Sequence, residues 1–378
     1  MAMSLQKVCP TIALAVLCLA AAPALGQTPA AALPSPTPSA SPTSAPIPNI
    51  TWQTNVSGYS FSTTDSNATS ADFSNLMTTV TRNTGLFRFG ATIGGYAFPV
   101  VGQVLNPTLK TGSNTDLFGI VPVAYVQYVP TGSLTLSAGK LATMIGQESG
   151  FTWQNVNVQR GLGWNVESTF SRGIRATYVR GAFSGNLEYN DGFYSGRLNS
   201  LEGLFGWQPT ASTNVQFAFL VPPAKQGPNP TTNIANKRLY DLMLTQTFGR
   251  LTLTPYLLWV DSPENAAIGF NGDERAFFGA AIANYTFSPT WSVGARYESA
   301  SNRSVATDTG ANADFLGYGP GSSASTITVT PTYRARHFVI RGEYSSVNLG
   351  QFTPGLGFGN AGLKSVQSRL GIEIGAQF

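Results

Sequence analysis

The sequence predicts an all-β protein, a transmembrane antiparallel up-and-down β-barrel of about 16 strands with short periplasmic turns and long extracellular loops. Three observations support this prediction. The last strand alternates between apolar and polar side chains and ends on an aromatic residue; the chain is apolar in composition without a long apolar run; and its connections alternate in length. The three observations are independent, so their agreement favours a barrel over other all-β folds.

The C-terminal segment has the pattern of a lipid-facing strand. Leu370, Ile372, Ile374 and the terminal Phe378 fall on one face, whereas the other face carries polar residues and glycine. Apolar residues outward, polar residues inward and an aromatic residue at the very end are typical of an outer-membrane strand. We expect these four residues to act as the signal that the barrel-assembly machinery recognises.

The composition fits strands better than membrane-spanning helices. Hydrophobic residues make up 42% of the chain and charged residues only 11%. Nevertheless, no segment after residue 26 approaches the roughly 20 consecutive apolar residues that a spanning helix needs. The 22 basic and 18 acidic residues are spread along the chain. Nucleic acid is therefore not expected as a partner, because it requires clustered basic residues.

The N-terminal part divides into two segments that lie outside the barrel. Residues 1–26 contain Lys7, then an apolar run, then small residues up to Gly26, and this order predicts a cleaved signal peptide. Residues 27–49 are rich in Pro, Ala, Ser and Thr, which predicts a disordered periplasmic linker. This linker is either a spacer or a tether to peptidoglycan or a partner. The barrel is assigned to residues 50–378.

The connections predict sixteen strands. Seven short links alternate with eight long ones, and a chain connected in this way begins and ends on the same side of the membrane. Residues 51–61 form the least regular segment, so fourteen strands is the alternative. A soluble β-sandwich or propeller would not need a terminal aromatic residue or alternating loop lengths.

Four motifs in the middle of the chain resemble a known family. They are residues 146–148 (GQE), 159–164 (QRGLGW), 171–178 (SRGIRATY) and 189–195 (YNDGFYS). Together they resemble the central block of the OmpL-like β-barrel porins, most clearly over residues 135–207. The resemblance implies an outer-membrane barrel of Gram-negative bacteria with a passive pore, and it says little about the solute.

Charged residues on the predicted inward faces are the candidate pore lining. Sixteen strands enclose a lumen too wide for side chains to fill, and a charge would be costly on the lipid face. The inward set holds nearly balanced charges: Arg88, Arg175, Glu188, Glu202, Asp241, Arg296, Glu298, Arg341, Glu343, Arg369 and Glu373. We expect these charges either only to solvate the lumen or to create a transverse field that orients polar solutes.

The third long loop, residues 143–169, is the candidate constriction. It has about 27 residues, and in general porins the third loop folds into the lumen and narrows it. Glu148, Arg160 and Glu167 are then the candidate constriction charges. The alternative is an outward cap packed by Phe151, Trp153 and Trp164, and a loop that filled the lumen completely would make a plug.

The sequence gives little support to catalysis, metal binding or active transport. The single histidine, His337, lies beside a predicted short turn without a serine motif or an acidic cluster. No calcium-type spacing of acidic residues is found, and no cofactor or metal is expected. The Pro-rich segment is too short to form the plug domain of an active transporter.

The predicted function is passive diffusion of small hydrophilic solutes and ions across the outer membrane, with weak charge selectivity. The alternative is a structural or adhesive barrel with a closed lumen. Expected partners are outer-membrane lipid, the assembly machinery and small solutes. Porins of this size are commonly trimers, so a homotrimer is an expectation by analogy.

Overall fold

The computed structural model describes residues 50–65, 68–109, 113–222, 237–265, 271–303 and 314–378. The predicted signal peptide (1–26) and periplasmic linker (27–49) lie outside the described residues. No described helix is long and apolar enough to cross a membrane.

The described residues form one closed barrel of sixteen antiparallel strands. Each strand pairs with its neighbours in sequence, and β1 pairs with β16 to close the barrel. This confirms the prediction of sixteen strands, including the first one. The strands are β1 (Ile50–Thr63), β2 (Ala68–Arg82), β3 (Phe87–Tyr96), β4 (Val123–Tyr128), β5 (Leu134–Ala142), β6 (Phe170–Arg180), β7 (Phe183–Asn190), β8 (Ser200–Thr210), β9 (Thr213–Val221), β10 (Arg238–Phe248), β11 (Leu251–Ser262), β12 (Glu274–Thr286), β13 (Trp291–Arg303), β14 (Ser323–Ala335), β15 (Phe338–Gln351) and β16 (Val366–Gln377).

Strand alternation places apolar side chains outside and polar ones inside over much of the barrel. In β16, Leu370 is 65% exposed on the outer face, while Arg369 and Glu373 are buried inside. In β14, Ile327 is exposed outside, and the alternating threonines from Thr326 to Thr332 point inward. Successive side chains of a strand point to opposite faces, so the period of 2 read from the sequence gives these orientations directly.

Strands β9 to β12 depart from the predicted polar inner face. Leu220, Leu239, Leu258 and Phe278 are buried inside the barrel, and Tyr256 joins them. The alternation of outward apolar and inward polar residues seen in β16 therefore does not hold on the inner face of these four strands. The physical reason is that this part of the wall does not face water; it packs against a loop inside the barrel.

The connections differ at the two ends of the barrel. At the short-turn end, strands such as β10 and β11 are joined by two residues, and Gly249 there has φ +58°, a left-handed conformation that glycine adopts without strain. At the long-loop end, the β3–β4 connection carries the only described α-helix, α1 (Asn114–Phe118), which Ser113 caps by accepting a hydrogen bond from the Asp116 amide. The β5–β6 connection contains two short 3-10 turns, Thr152–Gln154 and Gly163–Asn165.

Candidate pore and its inner loop

The long connection between β5 and β6, residues 143–169, lies inside the barrel. We call it the inner loop. Its central residues Val158, Gln159 and Arg160 have no exposed surface, and Thr152 is equally buried. The loop is therefore folded into the lumen, and it does not form the outward cap that the sequence left as an alternative.

The first residues of the inner loop are fixed by two buried carboxylates of the wall. Glu202 of β8 accepts hydrogen bonds from the Met144 amide at 2.5 Å and from the Thr143 hydroxyl at 3.0 Å. Asp241 of β10 accepts one from the Gly146 amide at 2.8 Å. Amide-to-carboxylate hydrogen bonds are stronger than neutral ones, so these contacts anchor the start of the loop to the β8–β10 side.

A buried ion cluster holds the middle of the inner loop against β13. Arg296 donates to the Glu148 carboxylate at 2.5 Å and to the Gln159 carbonyl at 2.7 Å. Its guanidinium also lies 3.1 Å from Glu298, which accepts a hydrogen bond from the Leu162 amide at 3.0 Å. Removing one charge would leave the others unpaired away from water, which is costly.

Strands β15 and β16 hold the same loop from a second direction. Glu343 accepts hydrogen bonds from the amides of Val158 at 2.5 Å and Gln159 at 2.9 Å. Arg341 donates to the carbonyls of Thr152 and Asn155, both at 3.0 Å, and pairs with Glu373 of β16. The backbone of the loop is thus hydrogen-bonded to the wall from β8 to β15.

Two of the predicted constriction charges, Arg160 and Glu167, are buried inside the loop region. Arg160 donates to the carbonyls of Ser149 and Gly150, and its guanidinium lies over the rings of Phe98 and Trp164, 5.4 and 5.6 Å from their centroids. Burial lowers the pKa of Arg160 to about 9. Burial likewise raises the pKa of Glu167 well above its usual range, and the nearby carboxylate of Asp241 raises it further. Both side chains are buried, and neither lines the cavity described below.

The inner loop packs against the apolar inner face of β9 to β12. Ile145, Leu162 and Val166 of the loop form one buried cluster with Leu220 and Leu258 of the wall. Loops at the long-loop end join the same cluster through Val101, Phe315, Leu316, Tyr318 and Phe358. Burial of apolar surface, together with the carboxylate contacts above, explains why the loop lies on this side of the lumen.

A cavity remains on the opposite side, between the inner loop and strands β2 to β4. Its volume is about 340 Å³. The wall contributes Thr79, Thr81, Gly90, Thr92 and Tyr125. The loop contributes residues from its first half: Gly146, Gln147, Glu148, Ser149, Gly150, Phe151 and Gln154. Among the described residues that line the cavity, Glu148 alone is charged. The inner loop thus leaves part of the lumen unfilled.

The predicted pore-lining residues are brought together inside the barrel, but most of them are covered. Arg296 and Glu298, like Asp241, have at most 2% of their surface exposed because the inner loop lies over them. The same burial, at most 5% exposed, applies to Glu188, Glu202, Arg341, Glu343, Arg369 and Glu373. They face inward as expected, yet they bind the loop or neighbouring strands instead of an open lumen.

Arg175 and Arg88 are the two members of the predicted set that keep some exposure. The Arg175 side chain is 17% exposed and pairs with Glu188 at 2.5 Å. Arg88 is half-buried near the short-turn end and donates to the Gly85 carbonyl at 3.2 Å. Neither residue is part of the cavity lining described above.

The sequence analysis missed the neutral residues that line the cavity. It searched for charges, whereas Thr79, Thr81, Thr92 and Tyr125 carry only hydroxyl groups. A usable signal was present in the strand pattern, because these residues occupy inward positions in strands that show little inward charge. The surface against which the loop packs could also have been predicted. Residues 256–260 (YLLWV) are apolar at consecutive positions, as expected for a strand buried on both faces.

Of the remaining predicted residues, Leu370, Ile372 and Ile374 are exposed on the outer face of β16, and Phe378 and His337 lie at the short-turn end. Phe378 pairs its amide with the Thr54 carbonyl at 2.9 Å, and its ring stacks on His337 at 5.4 Å between centroids. His337 also contacts the Gln377 carbonyl at 2.8 Å. Within the described part of the chain, no group of three or more His, Cys, Asp and Glu side chains is arranged to hold a metal ion.

Comparison with solved structures supports the same architecture. An anion-selective porin from Comamonas acidovorans has a TM-score of 0.59 at 12% identity, over 87% of this chain and 99% of that one. The trimer form of OmpT from Vibrio cholerae has a TM-score of 0.56 at 12% identity, over 87% and 99% of the two chains. The channel DcaP of Acinetobacter baumannii has a TM-score of 0.55 at 11% identity, over 87% and 97%. At these identities the likeness concerns the fold alone.

A comparison with protein families identifies the family of this chain, which structural similarity at 11–12% identity does not. A search of curated proteins finds no match to this chain. The family described as "Putative beta-barrel porin-2, OmpL-like" matches residues 49–378, which is the whole barrel. This match confirms the resemblance seen in the four central motifs. The chain therefore belongs to the OmpL-like β-barrel porin family.

Proposed function

We propose that the protein is an outer-membrane porin through which small hydrophilic solutes and ions diffuse passively. The observation that carries the proposal is the position of the inner loop, which is fixed to one side of the lumen and leaves a cavity of about 340 Å³ on the other. We expect a loop held in this way to narrow the pore without closing it. Family membership and the sixteen-stranded barrel support the same function.

We propose weak charge selectivity for this pore. The inward charges of the wall are paired with one another or with the loop backbone, as in the contacts of Arg296 with Glu148 and Arg341 with Glu373. Charges at a constriction act on a passing ion, whereas paired and covered charges act little. Arg175 and Arg88, which keep some exposure, are the candidates for the residual preference.

The same proposal places the protein in the bacterial outer membrane, exported by the N-terminal signal peptide. The long loops then lie outside the cell and both ends of the barrel segment lie in the periplasm. Lipid contacts the apolar outer face, and the assembly machinery recognises the last strand. A homotrimer is proposed by analogy, because a structurally similar protein, OmpT of Vibrio cholerae, is described in a trimer form.

One observation favours the alternative of a structural barrel with a closed lumen. The buried cluster that contains Leu162 of the inner loop extends to Phe315, Tyr318 and Phe358 in the long loops. These residues cover the long-loop end over β9 to β15. If the cover extended across the remaining mouth, no solute would pass.

Single-channel recording separates the two functions. Residues 27–378 are refolded, inserted into a planar lipid bilayer and recorded under a salt gradient. Stable ohmic steps with a reversal potential close to zero are expected for an open, weakly selective pore. A folded, heat-modifiable barrel that conducts no current would contradict the porin function and favour the structural one.

A further inference from the structure

We propose that the cavity between the inner loop and strands β2 to β4 selects uncharged, hydroxyl-rich solutes of monosaccharide size over ions of the same size. This inference rests on the proposed porin function and specifies its substrate class. The cavity volume of about 340 Å³ lies at the small end of the roughly 300–1,000 Å³ range of ligand-binding pockets. It is large enough for a small organic solute to make contacts on several sides.

The strand side of the cavity offers hydroxyl groups, beside apolar residues such as Ala91 and Val123, and no charge. Thr79 and Thr92 lie on neighbouring strands, and their hydroxyl oxygens are 3.0 Å apart. Thr81 lies two residues further along β2, on the same face. A hydroxyl group both donates and accepts hydrogen bonds, so this row can exchange partners with the hydroxyl groups of a solute.

Tyr125 adds a ring and a further hydroxyl group to the same wall. Its ring lies across Gly90 of the neighbouring strand: a β-carbon at position 90 would be only 2.6 Å from the ring carbon Cζ and from the phenol oxygen. The glycine therefore makes room for the tyrosine against the wall. An aromatic ring with a polar tip can contact both the apolar faces and the hydroxyl groups of a sugar-like solute.

The loop side of the cavity is also neutral in effect. Gln147, Ser149 and Gln154 supply amide and hydroxyl groups. Glu148 is charged, but both of its oxygens are occupied. Oε1 accepts from Arg296 at 2.5 Å, and Oε2 accepts from the Gly161 amide at 2.6 Å. An ion in the cavity thus finds no free charge of opposite sign.

This distribution of groups predicts that the pore slows anions and cations alike relative to neutral solutes. An ion that enters a narrow neutral passage loses hydration without gaining a counter-charge, which is costly. A neutral hydroxylated solute exchanges its hydrogen bonds with water for hydrogen bonds with the wall, at little net cost. The buried charges of β8 to β16 do not change this balance, because the inner loop covers them. Arg175 of β6 keeps 17% exposure and is paired with Glu188 at 2.5 Å, which offsets its charge.

Liposome swelling with three solutes of one carbon skeleton tests the proposal. Residues 27–378 are reconstituted, and swelling rates are compared in isosmotic glucose, gluconate and protonated glucosamine. We expect both charged solutes to enter about tenfold more slowly than glucose, which corresponds to about 1.4 kcal/mol of additional barrier. Conductance in potassium chloride, recorded on the same preparation, reports separately whether the pore is open.

Variants of the threonine row test where the discrimination arises. The double variant Thr79→Val with Thr92→Val should slow glucose entry by about two- to tenfold, the effect of losing about 0.5–1.5 kcal/mol of hydrogen bonding. Thr92→Asp should speed glucosamine entry and slow gluconate entry. The matched control is Thr54→Val with Thr78→Val, a hydroxyl pair 3.1 Å apart that does not line the cavity, and it should leave all rates unchanged.

The outcomes distinguish this inference from the function on which it rests. Conductance together with gluconate or glucosamine entry as fast as that of glucose would overturn the selectivity and leave the porin function intact. Equal effects of the cavity pair and the control pair would also overturn it. A preparation without conductance and without swelling in any solute would contradict the porin function and this inference with it.

Discussion

At the scale of single residues, the buried charges hold the inner loop in place by ion pairs and hydrogen bonds. Arg296 contacts Glu148 of the loop and Glu298 of its own strand, and its side chain has no exposed surface. In such a site each charge is tolerated only because its partners are present. The charged residues that first suggest a conducting surface therefore determine the shape of the lumen.

Replacing Arg296 tests this role. Arg296→Met leaves Glu148 and Glu298 buried without their cation, so the free energy of unfolding should fall by about 3–5 kcal/mol. Chemical unfolding of the refolded protein in micelles measures the change. Arg88→Met, at a half-buried arginine near the short-turn end, is the control and should cost less than about 1 kcal/mol. Equal losses in the two variants would contradict the account.

Glu167 makes a prediction about pH. Burial raises its pKa in the folded protein, so the folded state keeps a proton that the unfolded chain releases near pH 4.3. Stability should therefore fall as the pH rises from about 4 through the folded pKa, and Glu167→Gln should remove this part of the pH dependence. Unfolding midpoints at several pH values measure it. The exposed Glu264→Gln is the control, and an unchanged pH profile in Glu167→Gln would refute the assignment.

At the scale of elements, the polar and apolar groups of the inner loop match those of the wall strands that it contacts. Glu343 of β15 accepts hydrogen bonds from two consecutive loop amides. The apolar loop residues pack against the apolar inner face of β9 to β12. Strands β2 and β3 contact the loop near Phe151 and Thr152, where Asn75 donates to Thr152 and Tyr96 packs on Phe151, and the cavity lies beside these contacts. The position of the cavity thus follows from which strands are apolar on both faces.

Glu343→Gln should loosen the loop without removing the barrel. One of the two amides, of Val158 or Gln159, would then face the side-chain NH₂ group, and an unsatisfied buried amide costs about 1–3 kcal/mol. We expect faster hydrogen exchange at these two residues and more current noise in single channels. Glu188→Gln is the matched control, because this buried carboxylate binds strand residues such as Arg175 and Ser171. Loop exchange as fast in the control would contradict the prediction.

The strands could be predicted from the sequence because their period of 2 is local. Alternation in residues 326–333 and 369–378 gives both the strands and their inward faces. The path of the inner loop could not be predicted in this way. It depends on carboxylates from β8, β10, β13 and β15 meeting backbone amides of one loop, and amide directions are not encoded by residue type. For the same reason, the alternation places the charged residues on inward faces, whereas their covering by the loop could not be read from the sequence.

At the scale of the whole molecule, closure of the barrel joins the two ends of the chain. β1 pairs with β16, and the Phe378 amide bonds to the Thr54 carbonyl. The terminal residues thus complete the last contact that removes the free edges, which no membrane-spanning sheet can leave unpaired. The C-terminal strand has a structural role in closure in addition to its proposed role in assembly.

Phe378→Ala should reduce the amount of barrel assembled in the outer membrane, because the proposed assembly signal loses its terminal ring. Heat-modifiable mobility of outer-membrane fractions measures the assembled fraction. Phe338→Ala is the matched control, since Phe338 is 62% exposed, close to the 65% of Phe378, and starts the neighbouring strand β15. If both variants assemble equally well, the assembly signal does not include Phe378.

The central claim is that solutes pass along strands β2 to β4, while the inner loop seals the β13–β15 side. Because both cysteines precede residue 27, single cysteines can be placed in residues 27–378 without further changes. The measurement is the open-channel current of Thr79→Cys and of Thr328→Cys before and after a small, water-soluble thiol reagent is added. The account predicts a stepwise loss of current for Thr79→Cys, which lines the cavity, and none for Thr328→Cys, which has no exposed surface. Loss of current for Thr328→Cys with Thr79→Cys unaffected, or the absence of any current, would contradict it.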